Sequence, residues 1–302
     1  MFGFIGLGQM GFPIALNVLE SGHRPLYVYN RTAAKAAKLV EKGATLVASP
    51  AEVAAPGAVV FTMLSDDRAV EDVVLGSAGF LRRLGPDGVH VSMSTIAPAT
   101  ARRLAQLHQE HACAYLGAPV FGRPDAAAAR KLWICLSGAE PAKARVEPIL
   151  RHLGQAVFDF GEDPGAAHVA KLAGNFMIGA AMEAVAEAVV MLEKNGVDRV
   201  KVIEMLGDTL FSCPVYRNYG KAIAERRSAP VGFKLALGRK DLDLVVQTAA
   251  ACQTPMPLAN LVRDRLIAGM AKGRGEMDWS ALALGAAEDA GLDPIPGRRG
   301  AS

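Results

Sequence analysis

The chain has 302 residues, enough for about two domains at ~150 residues each. With 51% hydrophobic and 21% charged residues it is not disordered as a whole, and a net charge of +3 without a basic run argues against nucleic acid as a partner. No apolar stretch approaches the ~20 residues of a membrane span, and Met1-Phe-Gly-Phe-Ile-Gly6 lacks the basic start of a secretion signal, so a cytoplasmic protein without a membrane partner is expected.

The first expected strand, Phe2 to Gly6, runs into Gly6-Leu7-Gly8-Gln9-Met10-Gly11 and then a helical pattern, Phe12 to Leu19. A G-x-G-x-x-G between strand and helix serves a tight turn, close backbone approach to a pyrophosphate, and helix–strand packing; a Gly-rich turn without a ligand is the alternative. The second strand, Leu26 to Tyr29, ends in Asn30-Arg31-Thr32. An NAD site usually places an acid there for the ribose 2′-hydroxyl, whereas an arginine with small polar neighbours suits a 2′-phosphate. NADP is therefore favoured over NAD, unless Arg31 is an ordinary surface charge.

A helix is expected from Ala33 to Lys42 and another from Ala99 to Glu110. Strands are expected at Val59 to Met63, Val89 to Met93, Ala114 to Val120, Leu132 to Leu136 and Ala156 to Phe160. Such alternation predicts a parallel sheet covered on both faces. Gly161-Glu-Asp-Pro-Gly165 then punctuates the chain, and the rest reads as helix: Ala166 to Lys194, Arg199 to Thr209, Tyr216 to Arg226, Leu235 to Cys252, Leu258 to Lys272 and Ser280 to Ala290. The expected division is 1–163, an α/β nucleotide-binding domain; 164–292, all α; and 293–302, a flexible tail. Cys113, Cys135, Cys213 and Cys252 form no C-x-x-C pair, so reduced thiols and no metal site are expected.

Lys171 and Asn175 share one face of the long helix among apolar neighbours. A lysine there is costly unless paired or functional, although spacing alone also fits a lysine snorkelling at a helix edge.

Taken in order, Gly6-x-Gly8-x-Met10-Gly11, Asn30-Arg31-Thr32, Met93-Ser94-Thr95-Ile96, Gly117-Ala-Pro-Val-Phe-Gly122, Lys171-x-x-Gly-Asn175 and Phe233 to Lys240-Asp241-Leu242 resemble the β-hydroxyacid dehydrogenase family over residues 2 to 290. The resemblance implies an α/β fold: an N-terminal Rossmann-type parallel sheet, a long interdomain helix, and an all-α C-terminal domain forming a homodimer or homotetramer. It implies an NADP-dependent oxidoreductase interconverting a small hydroxyacid and its aldehyde or keto acid. Lys171 matches the catalytic lysine, and Asn175 the amide beside it. Ser94 and Thr95 match the residues lining the nicotinamide and substrate, and Lys240 a lysine contacting the cofactor. The cofactor set also takes Gly6 to Gly11, Asn30 to Thr32, and Met63 and Leu64 at the end of the third expected strand.

Two departures stand out. The family's D-A-P-V-S-G-G is here Gly117-Ala-Pro-Val-Phe121-Gly122-Arg123, and the first Asn of K-x-x-N-N is Gly174. Phe121, Gly122 and Arg123 thus face the expected substrate, with Arg123 either replacing the lost carboxylate contact or pointing to solvent. Imine reductases of the same architecture, or a non-catalytic NADP-binding scaffold, are the alternatives; both usually lack the lysine.

Overall fold

A computed structural model describes residues 1–227 and 230–294, so the expected tail lies outside the described residues from 295 on. The chain divides into two compact units, Met1–Lys171 and Leu172–Ser302. The division falls inside the long helix rather than in the Gly161–Gly165 turn before it, because the helix's first turn is bonded into the first unit.

The first unit contains β1 (Phe2–Ile5), β2 (Leu26–Tyr29), β3 (Thr45–Leu46), β4 (Val59–Thr62), β5 (Val89–Ser92), β6 (Ala114–Gly117), β7 (Val120–Phe121), β8 (Leu132–Gly138) and β9 (Gly154–Asp159). Its helices are α1 (Gly11–Glu20), α2 (Ala37–Glu41), α3 (Asp67–Leu75), α4 (Leu81–Leu84), α5 (Pro98–Glu110), α6 (Pro124–Ala128) and α7 (Glu140–Arg151). The first six strands lie in the order β3-β2-β1-β4-β5-β6, all parallel. Every residue of β4 and β5 is buried, as a sheet covered on both faces requires. Strand order reverses between β1 and β4, and ligands of doubly wound sheets bind beyond the C-terminal ends of such a pair.

The far edge corrects two expectations. The single strand foreseen from Ala114 to Val120 is two, because Pro119 has no N–H to continue a ladder; Ala118 N–H turns to Ser92 O, and Pro119 O accepts from Cys135 N–H. The run of parallel pairs is also interrupted after β6, since β8 runs antiparallel to both β6 and β7 before β9 pairs with it in parallel.

The second unit holds α9 (Arg199–Asp208), α10 (Pro214–Ala224), α11 (Leu235–Ala251), α12 (Pro257–Ala271) and α13 (Ala283–Asp289), together with most of the helix crossing the division, which we number apart as αL (Ala166–Lys194). Leu242, Val262, Leu266 and Trp279 are buried in this unit. Helix αL is long and apolar enough to cross a membrane by length and composition, which corrects the expectation that no such stretch exists. Its buried polar residues nonetheless meet protein side chains, with Glu183 paired to Arg265 at 2.7 Å.

Beneath the sheet, buried side chains form a directed chain. His108 Nδ1 donates to Leu104 O at 2.6 Å. A carbonyl only accepts, so His108 Nε2 is left to accept from His90 Nδ1 at 3.2 Å, and His90 Nε2 from Thr62 Oγ1 at 2.9 Å. Burial, then the neighbouring His108, holds His90 well below the usual imidazole range. Burial likewise lowers His108 to about 4. The unfolded chain therefore binds protons that the folded chain refuses, and stability declines as pH falls from the ordinary 6.5 toward 4. For His108 the loss amounts to about 3 kcal/mol at the acid end. Urea unfolding across that range should show the decline, and His108→Gln, which cannot titrate, should reduce it while His90 keeps the remainder.

Candidate active site

The loop after β1 is built on close backbone approach. Gly6 has φ +97°, and a Cβ there would stand 2.3 Å from Met63 O. At Gly11 a Cβ would stand 1.8 Å from Gly6 O, so α1 packs against the loop with no side chain between. Gly8 is the opposite case: it is exposed, and an added Cβ would meet no protein atom within 4 Å. Met10 gives the first turn of α1 no side-chain cap; Phe12 N–H donates to Gly8 O, Ile14 N–H to Met10 O, and Pro13 has none, so what this helix start offers an anion is chiefly the positive end of its dipole. These features fit a dinucleotide pyrophosphate.

Bonds join several of the expected site residues. Asn30 Oδ1 accepts from Leu7 N–H at 2.8 Å, and its Nδ2 donates to Thr32 O at 2.9 Å. Its amide thus braces the loop, a role the sequence reading did not assign. Leu64 N–H donates to Ser94 Oγ at 2.8 Å, tying the ends of β4 and β5 together. Helix α5 starts after Ala97, with Pro98 in its first turn. Thr95 is half-buried beside Ser94, while Gln9, Arg31 and Thr32 are exposed around the loop and the end of β2.

Lys171 is buried, 8% exposed, rather than snorkelling. Its Nζ lies 4.0 Å from the centroid of the Phe121 ring, a cation–π geometry. Phe121 ends β7; Gly122 follows with φ +137°, and Arg123 is half-buried in extended backbone before α6. Burial raises the Cys135 thiol to about 11, although the Lys171 charge pulls the other way, so this thiol stays protonated at neutral pH.

In the second unit Asn175 Nδ2 donates to Asp241 Oδ2 at 2.6 Å, and Lys240 Nζ lies 2.6 Å from Asp241 Oδ1. Asp241 is 1% exposed. It escaped the sequence reading because Lys240-Asp241 passes for a surface pair; its place on the buried face of α11, one residue before Leu242, was the available signal.

Residues 1–161 match the family model described as the NAD binding domain of 6-phosphogluconate dehydrogenase, and 165–286 the one described as NAD-binding of NADP-dependent 3-hydroxyisobutyrate dehydrogenase. The chain is 42% identical to an uncharacterized oxidoreductase of Bacillus subtilis, YfjR, over 92% of this chain and 96% of that one. It is 34% identical to 3-hydroxyisobutyrate dehydrogenase of Pseudomonas aeruginosa, over 86% and 89%. The chain belongs to the β-hydroxyacid dehydrogenase family. Among solved structures it resembles Mycobacterium tuberculosis 3-hydroxyisobutyrate dehydrogenase with L-serine, at TM-score 0.83 and 27% identity, covering 93% of this chain and 97% of that one. This β-hydroxyacid dehydrogenase is thus an oxidoreductase with a nicotinamide nucleotide as cofactor.

Proposed function

We propose that the chain interconverts a small hydroxyacid and its aldehyde or keto acid with NADP(H), with Lys171 as general acid and base. The observation that carries this reading is the buried Lys171 ammonium seated on Phe121 in a family of dehydrogenases. The bound nicotinamide supplies or takes the hydride. Lys171 gives a proton to the substrate oxygen in reduction and removes it in oxidation, and Asn175, its amide orientation set by Asp241, presents its remaining groups to the same substrate.

Support for NADP comes from Arg31, exposed where β2 ends, with no carboxylate in Asn30-Arg31-Thr32 to repel a 2′-phosphate. An arginine–phosphate bond contributes about 1.5–3 kcal/mol, roughly 10- to 100-fold in affinity. Dissociation constants should therefore favour NADPH over NADH by that factor, and Arg31→Glu should remove the preference. Equal constants in the unaltered protein refute it.

Phe121 favours a second reading. A phenyl ring in place of the family's serine offers no hydrogen bond to a carboxylate and adds an apolar wall, which suits neutral carbonyls or imines. A panel of aldehyde acids, keto acids, neutral ketones and cyclic imines separates the two. The acid reading requires that Arg123→Ala raise KM selectively for carboxylates by about tenfold, the worth of one charge-assisted bond.

The helical unit exposes Met177, Met191, Leu210 and Phe211, a surface we assign to a second copy of the chain, as a homodimer or homotetramer. A light-scattering mass of 31.7 kDa, that of one chain, would refute this.

A further inference from the structure

The first turn of αL is bonded into the first unit at several points just ahead of Lys171. Ser137 Oγ donates to Pro164 O at 3.3 Å and accepts from Ala167 N–H at 3.1 Å. The next residue, His168, is fully buried, and its Nε2 lies 3.2 Å from the Tyr115 hydroxyl on β6. Two residues along, on the same face of that strand, Gly117 leaves the imidazole its room: a Cβ there would stand 3.0 Å from His168 Nε2 and 2.8 Å from Pro164 O. Gly117 is also the position at which this chain departs from the family's usual aspartate. His168 and Lys171 are three residues apart, on one side of the helix.

We propose that His168 is a positioning residue for Lys171, seated between Tyr115 and Gly117 so that the rotation of the helix's first turn, and with it the approach of the ammonium to Phe121, is set. The imidazole docks one face of that turn on β6. A polar seat defines the rotation more sharply than an apolar one, because the hydroxyl must lie within hydrogen-bond reach of one ring nitrogen. The inference rests on the proposed role of Lys171 for its catalytic meaning, but the seating itself can be read without turnover.

The test uses the full chain and three variants, Tyr115→Phe, His168→Leu and His168→Gln, with acetic anhydride as a lysine-labelling probe. Labelling of Lys171 is followed by peptide mass spectrometry across pH 7 to 11, with exposed Lys38 and Lys272 as internal standards. Tyr115→Phe, the mildest change, and His168→Leu should each alter the Lys171 labelling rate at least fivefold and displace its pH midpoint, while the standards stay constant. His168→Gln, which can still bond the hydroxyl, should return the rate to within twofold of the original. Turnover in any reaction the unaltered protein catalyses should fall at least tenfold in Tyr115→Phe, with the NADPH dissociation constant changed less than threefold. An unchanged Lys171 labelling profile in a folded Tyr115→Phe protein, or a loss in His168→Gln equal to that in His168→Leu, overturns the proposal. If labelling shifts as expected but Lys171→Ala retains full turnover, the seating stands and the catalytic role of Lys171 is what fails.

Discussion

Lys171→Ala should lower kcat by about 10²- to 10⁴-fold, the usual worth of a positioned general acid or base, while NADPH binds as before. The side chain sits at the start of αL, and the loop that fits the pyrophosphate lies elsewhere, between β1 and α1. Removing the ammonium therefore takes away the proton donor without touching the glycine loop. It also removes a buried charge whose contact with Phe121 at 4.0 Å is worth about 0.5–2 kcal/mol, which partly offsets the cost of holding an ammonium away from water. The variant should accordingly be as stable as the parent to within about 1 kcal/mol. Steady-state rates beside calorimetric titration with NADPH provide the measurement; near-parental turnover rules the assignment out.

Gly11→Ala and Gly8→Ala should differ in kind although they lie in one loop. At Gly11 the new methyl would stand 1.8 Å from Gly6 O, a backbone atom, so either α1 or the loop must move. Overpacking of this sort costs about 1–3 kcal/mol and here also displaces the helix start against which the phosphates are expected to bind. Loss of NADPH affinity by 100-fold or more, together with a lower urea midpoint, is expected. At Gly8 the methyl meets no protein atom, so stability should be unchanged while NADPH affinity falls, because the methyl takes the space where the pyrophosphate approaches. Equal affinity of the Gly8→Ala protein for NADPH would refute the placement of the pyrophosphate.

Much of this was legible from local patterns. The apolar runs of β1, β2, β4 and β5 and the strand–turn–helix setting of the glycines depend on period and on backbone sterics, which act over a few residues. The all-helical second half followed likewise from helical spacing. Where the pattern was read too simply, the cause was also local: Pro119 divides the run from Ala114 to Val120, a break visible in the sequence once the missing N–H is counted. The reversal of β8 was not visible, since strand direction in a sheet is settled by which neighbours compete for the ladder.

The site divides along the same line. Residue identity alone set the chemistry available: a lysine and an amide four apart on a helix, glycines where a phosphate needs backbone, an arginine and no acid after β2. Only the tertiary structure decided which of those groups act on one another. It engaged Asn30 with Leu7 and Thr32, tied Ser94 to Leu64, placed Phe121 on Lys171, and buried Asp241 between Asn175 and Lys240. The physical reason is that a hydrogen bond or a cation–π contact acts over 3 to 4 Å between side chains that can be 30 to 70 positions apart, and composition and spacing carry no record of which distant side chain arrives.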